Sequence, residues 1–219
     1  MAFNEAGSLE AVVRELHETV RLGGRPFEVI VVDDGSSDGS GELADRLAQA
    51  LEGVRVVHHG ANLGLGGVYQ TGFREARQDL VTFFPADGQF PASILDRFFP
   101  LIGGADMVLG YLEQRSDSAL GKVLSWAERL LYRALFGRLP RFQGVFLLRT
   151  ELLRQIPLGS GGRGWAPVME LLVRAQRGGY RLLSVPTELR ARRAGRSKVR
   201  NLRTVLANLR QVLSLARRL

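Results

Sequence analysis

Residues 27–40 read FEVIVVDDGSSDGS and join an apolar run to an acidic turn. Residues 27–32 are mostly apolar and β-branched, and short runs of this kind form strands that are buried on both faces. The Asp-Asp-Gly sequence at 33–35 follows at the point where the strand must turn. From 40 to 51 the apolar residues recur at helical spacing. The stretch therefore predicts a strand, a turn with two carboxylates at the strand's carboxyl end, and a helix.

The same alternation of helix and strand continues on both sides of this stretch. Further helices are predicted at 9–20, 68–77 and 92–101, further strands at 54–57, 80–84 and 107–110, and a glycine-rich loop at 62–67. Short apolar strands that alternate with helices predict an α/β fold with a mainly parallel sheet and helices on both faces. Since residues 1–8 alone precede the first helix, we expect the first strand to be missing.

A second acidic turn follows the predicted strand at 80–84, where residues 85–89 read PADGQ. Asp87 and Gln89 supply hard oxygen atoms, and Mg²⁺ or Mn²⁺ binds through a few such oxygens together with water and substrate phosphates. The alternative is an ordinary Asp-Gly turn without a ligand. Ligands bind beyond the carboxyl ends of parallel strands, so we expect this turn and the acids at 33–34 to form one site.

Two polar loops have alternative interpretations. Asp38 or Ser40 would serve as the N-cap of the following helix, which does not exclude a ligand at the neighbouring acids. Residues 61–67 read ANLGLGG, which contains Gly-x-Gly but lacks the third glycine and the later acid of a dinucleotide-binding loop. A tight turn is therefore favoured there over a Rossmann cofactor site.

The composition indicates a globular protein with an anionic partner. The chain has 219 residues, is 45% hydrophobic and contains no cysteine, which excludes disulfides and thiolate metal sites. Its net charge is +8, and Lys122 and Lys198 are its only lysines, so arginine carries almost all of the positive charge. A GC-rich genome would also produce this bias. The basic residues after Tyr180 lack interleaved aromatic residues, so nucleic acid is disfavoured as the partner.

Five motifs in order carry a resemblance to a known family. They are Ala2–Glu5, Val31–Ser40, the group Asn62, Gly64 and Gly72, Pro85–Gln89, and the group Arg192, Gly195, Ser197 and Lys198. Together they resemble the family 2 glycosyltransferases with the GT-A fold, in particular the dolichol-phosphate and polyprenyl-phosphate mannosyl- and glucosyltransferases. The resemblance covers nearly the whole chain.

The resemblance implies inverting transfer of a hexose from a nucleotide-sugar, of the GDP-mannose or UDP-glucose type, to a polyprenyl or dolichyl phosphate. It implies a divalent metal, Mg²⁺ or Mn²⁺, at Asp87 and Gln89. The catalytic residues would be Asp87, Arg192 and Lys198. The donor-binding residues would be Phe3, Glu5, Val32, Asp33, Asp34, Ala86, Arg115, Gln143 and Ser197.

The chain departs from the family pattern at four positions. Pro85 replaces the usual first acid of the metal motif, so we expect a weaker metal site. Leu112 replaces an arginine, whose place Arg115 would take. Arg141 replaces a frequent acid, while Gln143 and Gly144 could still line the acceptor side. Met1 replaces the opening proline of the first strand.

Two amphipathic segments predict contact with an anionic membrane surface. We expect a GT-A-like catalytic domain at 1–190, with an amphipathic helix at about 118–136, followed by a basic loop and a C-terminal membrane-surface helix at 191–219. The alternative is that both helices pack on the core or on each other. The membrane interpretation predicts a cytoplasmic protein that is peripheral on the inner face of the cell membrane.

Two other functions stay open. A family 2 transferase with a polysaccharide or protein acceptor has the same fold, and a non-catalytic protein that binds nucleotide-sugar or membrane would explain Pro85. The absence of an obvious catalytic histidine is no objection, because a phosphate acceptor is already ionised near neutral pH. We interpret His17, His58 and His59 as structural or surface groups.

Overall fold

The computed structural model describes residues 1–113, 130–160, 164–190 and 213–219. The named helices are α1 (Leu9–Leu22), α2 (Ser40–Ala50), α3 (Gly64–Glu75), α4 (Ile94–Phe98), α5 (Thr150–Gln155) and α6 (Ala166–Arg177). The strands are β1 (Val29–Asp33), β2 (Val54–His58), β3 (Leu80–Thr82), β4 (Met107–Leu112), β5 (Phe146–Arg149) and β6 (Leu182–Thr187). Residues 130–136 and 213–216 are also helical.

The strands form two hydrogen-bonded groups. β1 pairs in parallel with β2, and the second group has the order β3-β5-β4-β6. β5 runs antiparallel to both of its neighbours, whereas β4 and β6 are parallel. The α/β class predicted from the sequence is confirmed, and β5 makes the sheet mixed. No element was predicted from the sequence for residues 146–149, so the antiparallel strand was missed.

Residues 1–2 lie between the two groups of strands. The Ala2 N–H donates to Val32 O and the Asp34 N–H donates to Ala2 O, each at 2.9 Å. On the other side, the Ala86 N–H donates to Met1 O at 3.0 Å. This short segment therefore supplies backbone partners to β1 and to the segment after β3, at the position where the sequence predicts a first strand to be missing.

Helices cover both faces of the sheet. Phe146 and Leu148 of β5 pack in one core cluster with α3 and α6, through residues such as Leu171. Leu147 packs in a different cluster with α4, through Phe98. Because successive strand residues point to opposite faces, the alternation places α3 and α6 on one face and α4 on the other.

Two predicted helices have different bounds in the structure. α3 begins at Gly64, so most of the glycine-rich segment at 62–67 is the first turn of a helix and not a loop. The helix predicted at 92–101 is limited to α4, because its flanking residues form turns.

The described parts of the two amphipathic segments pack together. Phe136 and Leu215 are buried in one cluster with Val173 of α6. This arrangement agrees, for these residues, with the alternative that the helices pack on each other and on the core. Residues 114–129 and 191–212 lie outside the described residues, and the boundary at 190 stays a prediction. Within the described part, no helix is both long enough and apolar enough to span a bilayer.

Candidate functional site at the carboxyl ends of the strands

Asp34 fixes the start of α3. Its carboxylate is buried and accepts the Leu63 N–H at Oδ1 and the Gly64 N–H at Oδ2, both at 2.9 Å. These N–H groups lack partners within the helix, and the helix N-terminus favours negative charge. Gly35 lets the backbone at Ala61 approach the acidic turn closely, since a Cβ at position 35 would lie only 2.9 Å from the Ala61 carbonyl carbon. The Asp-Asp-Gly turn is therefore both an acidic site and a helix anchor.

Two histidines at the end of β2 hold the acids at the end of β1. His59 Nδ1 lies 2.7 Å from Asp34 Oδ1, and His58 Nδ1 lies 3.1 Å from Asp33 Oδ2. The other ring nitrogen of His58 lies 3.0 Å from Asp45 Oδ1. These contacts raise the pKa of His58 above its ordinary value, and the contact with Asp45 has a larger effect than the contact with Asp33.

The role of these histidines was not predicted beyond a structural or surface position. The signal lay in the sequence, because Asp33 and Asp34 follow one predicted strand and His58 and His59 follow the next one. In the structure β1 and β2 pair in parallel with Asp33 opposite His58. Parallel pairing of consecutive strands would have brought the two dipeptides together.

The N-terminal segment is hydrogen-bonded to the turn after β1. The Asn4 N–H donates to Ser36 Oγ at 3.0 Å, and the Glu5 N–H donates to Ser40 Oγ at 2.9 Å. Asn4 has a φ of 55°, a left-handed conformation that asparagine tolerates. Two predicted donor-binding residues, Phe3 and Glu5, therefore belong to a segment that is bonded to this turn. Val32, a third, is buried in β1.

Asp87 lies in a tight turn after β3. Gly88 has a φ of 73°, and the Gln89 N–H donates to Asp87 Oδ1 at 3.1 Å. Ser8 Oγ donates to Ala86 O at 2.7 Å and ties the turn to the start of α1. The Asp-Gly turn that the sequence offered as the alternative is thus present, and whether the turn also binds a ligand stays a prediction.

The two acidic turns belong to neighbouring positions of the sheet. Residues 1–2 bond to Asp34 on one side and to Ala86 on the other. Adjacent strands are about 4.8 Å apart, so the backbones near Asp34 and Asp87 are separated by about 10 Å. A nucleoside diphosphate can extend over this distance. Asp33, Asp34, Ala86 and Asp87 therefore lie along one edge.

Gln143 is held at the same edge by one backbone hydrogen bond and by the packing of the next residue. Its N–H donates to Gly110 O at 2.7 Å. The next residue, Gly144, has a φ of 101°, and a Cβ there would lie 2.2 Å from Phe90 Cζ. Since Phe90 directly follows Gln89, the segment at 143–144 packs against the turn that carries Asp87.

The chain also returns to this turn just before the predicted cationic loop. The Arg190 N–H donates to Gln89 O at 2.8 Å. Four predicted site residues lie outside the described residues: Arg115, Arg192, Ser197 and Lys198. Their roles stay predictions.

The donor atoms at the turn fit a divalent ion that is held largely by a substrate. Among the described residues, no group of three or more His, Cys, Asp or Glu side chains could hold a metal by itself. Asp87 and Gln89 offer a carboxylate and an amide oxygen, which are hard ligands. Mg²⁺ and Mn²⁺ bind to substrate phosphates through only one or two protein carboxylates, so this small donor set is compatible with either ion.

A separate cavity of about 430 Å³ lies at the other end of the sheet. It is lined by Asp79, Arg149 and four residues of α5. Leu80, at the start of β3, pairs with Arg149. None of the predicted site residues that the structure describes lines this cavity.

Comparison with known proteins identifies the family of the chain. Residues 1–162 match the sequence profile of Glycosyl transferase family 2. Over 208 residues the chain is 31% identical to the undecaprenyl-phosphate mannosyltransferase of Micrococcus luteus. The alignment covers 90% of this chain and 84% of that protein. Over 215 residues the chain is 30% identical to the polyprenol monophosphomannose synthase of Mycolicibacterium smegmatis, covering 90% of this chain and 78% of that protein.

A solved structure has the same fold. Glucosyl-3-phosphoglycerate synthase from Mycobacterium tuberculosis, in complex with Mn²⁺, UDP-glucose and phosphoglyceric acid, aligns with a TM-score of 0.72 and 20% identity. The alignment covers 98% of this chain and 77% of that one. The likeness confirms a GT-A-like α/β fold. With a profile match over most of its length and relatives of at least 30% identity, the chain belongs to Glycosyl transferase family 2.

Proposed function

We propose that this glycosyltransferase moves a hexose, with inversion, from a nucleotide-sugar to a polyprenyl or dolichyl phosphate at a membrane surface. The observation that carries the proposal is the joining of the two acidic turns through residues 1–2 at one sheet edge. The relatives named above are transferases of polyprenyl phosphates, which supports this acceptor class.

The acids at the end of β1 form the nucleoside end of the donor site. Asp33 accepts a hydrogen bond from the Ser36 N–H at Oδ1, and its Oδ2 lies 3.1 Å from His58 Nδ1. Asp34 already accepts three hydrogen bonds, so its part in donor binding is mainly to fix the start of α3. Val32 contributes the buried backbone that carries both acids.

The turn at 86–89 forms the diphosphate end. A Mg²⁺ or Mn²⁺ ion held by Asp87 and Gln89 would neutralise the negative charge of the departing nucleoside diphosphate. Arg192 and Lys198 bind the same phosphates, with Ser197 and Arg115 as additional donors. Positive charge placed where negative charge develops lowers the barrier to departure of the leaving group.

The acceptor phosphate enters from the side of Gln143 and Gly144. One of its oxygens attacks the anomeric carbon and forms the new carbon–oxygen bond, while the bond from that carbon to the donor phosphate breaks. Attack from the face opposite the leaving group inverts the configuration. An ionised phosphate needs no strong base. This agrees with the positions of the histidines, since His58 and His59 contact the acids and His17 lies on α1.

The described ends of the amphipathic segments pack on the core through one face, and their other face carries exposed apolar and basic side chains that a membrane could contact. Leu130 is 53% exposed and Leu213 is 45% exposed, and Arg133 and Arg217 are exposed on the same segments. Each cation near an anionic bilayer contributes roughly 1 kcal/mol to binding. A flotation assay with vesicles of anionic lipid would show binding that weakens with salt. Equal flotation with neutral vesicles would contradict the electrostatic part.

A transfer assay tests the function. The protein is incubated with labelled GDP-mannose or UDP-glucose, with Mn²⁺ or Mg²⁺, and with polyprenyl phosphate, 3-phosphoglycerate or an oligosaccharide. We expect metal-dependent label in the lipid fraction. Label in another acceptor would replace the proposed acceptor class. Donor binding without transfer to any acceptor would indicate a non-catalytic protein, which is the alternative that would explain Pro85.

A further inference from the structure

We propose that Glu15 and Arg190 form an ion pair that fixes where the cationic loop begins, beside the Asp87–Gln89 turn. The inference rests on the proposed function, in which Arg192 and Lys198 of that loop bind the donor phosphates. Glu15 and Arg190 belong to none of the motifs that carry the family resemblance, and they are 175 residues apart in the chain.

One carboxylate of α1 holds two segments at once. Arg190 Nη1 lies 2.8 Å from Glu15 Oε1 and 3.0 Å from Glu15 Oε2. The Ala92 N–H also donates to Glu15 Oε1, at 3.0 Å. Glu15 therefore connects the residues that follow Gln89 to the side chain of Arg190.

The backbone of Arg190 is attached to the same turn. Its N–H donates to Gln89 O at 2.8 Å. β6 ends at Thr187, so strand pairing no longer fixes the chain at residue 190. Arg192 is two residues further on, and two residues span at most about 7 Å. The attachment of Arg190 therefore limits how far Arg192 can lie from the proposed metal ligand Gln89.

The ion pair is better suited to positioning than to folding. The Arg190 side chain is 44% exposed and the Glu15 side chain is 29% exposed. Pairs as accessible as this one contribute little to global stability, because water screens the charges. Its loss should therefore change donor turnover more than the unfolding midpoint.

Charge-neutral variants separate the effect of the ion pair on donor turnover from its effect on stability. Glu15→Gln keeps an oxygen for the Ala92 N–H and removes the charge, and Arg190→Gln removes the other charge. Arg190→Lys keeps the charge and is the conservative comparison. The matched control is Glu10→Gln, which removes an ion pair of 2.9 Å with Arg14 on the same helix.

We expect Glu15→Gln and Arg190→Gln each to lower kcat/KM for the nucleotide-sugar about fivefold, and the double variant to be no worse than either. Arg190→Lys should retain most of the activity, and Glu10→Gln all of it. Unfolding midpoints should stay within about 2 °C of wild type. Additive losses, or variants that behave like Glu10→Gln, would overturn the proposal.

Hydrogen exchange distinguishes this inference from the proposed function. Loss of the pair in Glu15→Gln should speed exchange at the Arg190 amide, which donates to Gln89 O. This readout needs no substrate. If wild-type protein transfers no hexose, the proposed function fails, while faster exchange in Glu15→Gln still supports the ion pair. Unchanged exchange contradicts the ion pair, whatever the transfer assay gives.

Discussion

His59 Nδ1 lies 2.7 Å from Asp34 Oδ1, and both side chains are almost completely buried. The other ring nitrogen of His59 lies 2.9 Å from Thr71 Oγ1 of α3. The arrangement fits the tautomer in which Nδ1–H donates to Asp34 and Nε2 accepts from Thr71. The histidine therefore connects the acidic turn to the helix that the turn anchors.

Removal of this ring should destabilise the protein. We expect His59→Ala to lower the free energy of unfolding by about 1.5–3 kcal/mol, because a buried carboxylate loses a hydrogen bond. Urea denaturation measures the change. His17→Asn, on α1, is the control and should change stability little. Equal stability of His59→Ala and wild type would show that the contact with Asp34 is not important.

The sequence predicted what depends on local pattern. β1, α2 and β4 follow from short apolar runs and helical periodicity, and Asp33, Asp34 and Asp87 were placed correctly at the carboxyl ends of strands. Their assignment to substrates stays a prediction.

The contacts missed from the sequence are those that join distant segments. The hydrogen bonds of His59 depend on the pairing of β1 with β2, and the contact of Arg190 with Glu15 depends on the complete sheet. The start of α3 was missed because glycine disfavours helix, whereas the carboxylate of Asp34 stabilises its first turn. Tertiary contacts outweighed local propensity in each case.

His58 should make stability depend on pH. Its contacts with Asp45 and Asp33 raise its pKa above the ordinary value of 6.5. A raised pKa in the folded state stabilises the protein below pH 6.5, and this contribution is lost as the pH rises through the folded-state pKa. The pH profile of the His58→Gln variant should lack this part of the decline, which in the wild-type protein begins near pH 6.5. Urea denaturation at several pH values measures the free energy of unfolding of the wild type and of the variant. Identical pH profiles for the two proteins would contradict the prediction.

Asp87 should be necessary for transfer and not for folding. We expect Asp87→Asn to lower kcat/KM at least about 100-fold, because the charge that holds the metal and the diphosphate is lost. Its circular dichroism spectrum should match that of wild type. Asp96→Asn, at an exposed acid of α4, is the matched control and should retain activity. Normal transfer by Asp87→Asn would remove the metal role.

A second carboxylate at Pro85 should strengthen metal binding. Pro85→Asp adds a charged oxygen ligand two residues before Asp87, and affinity rises with the number of charged ligands. We expect the Mn²⁺ concentration for half-maximal activity to fall about tenfold. Pro85→Ala removes the ring without adding a charge and separates the two effects. If both variants give the same Mn²⁺ dependence, the turn does not bind the ion through this position.

Gly144 should tolerate no side chain, because two costs combine at this position. Its φ of 101° is unfavourable for other residues, and a Cβ would lie 2.2 Å from Phe90 Cζ. Gly24 has a φ of 64° with no atom within 4 Å of its Cβ position, so Gly24→Ala should cost about 1 kcal/mol from the backbone alone. Gly144→Ala should cost at least about 3 kcal/mol in urea denaturation, since Phe90 must also move. Movement of Phe90 shifts Gln89, so the variant should also need more Mn²⁺ for half-maximal activity. Equal costs at the two glycines would show that Phe90 relaxes freely and that the 143–144 segment does not fix the turn.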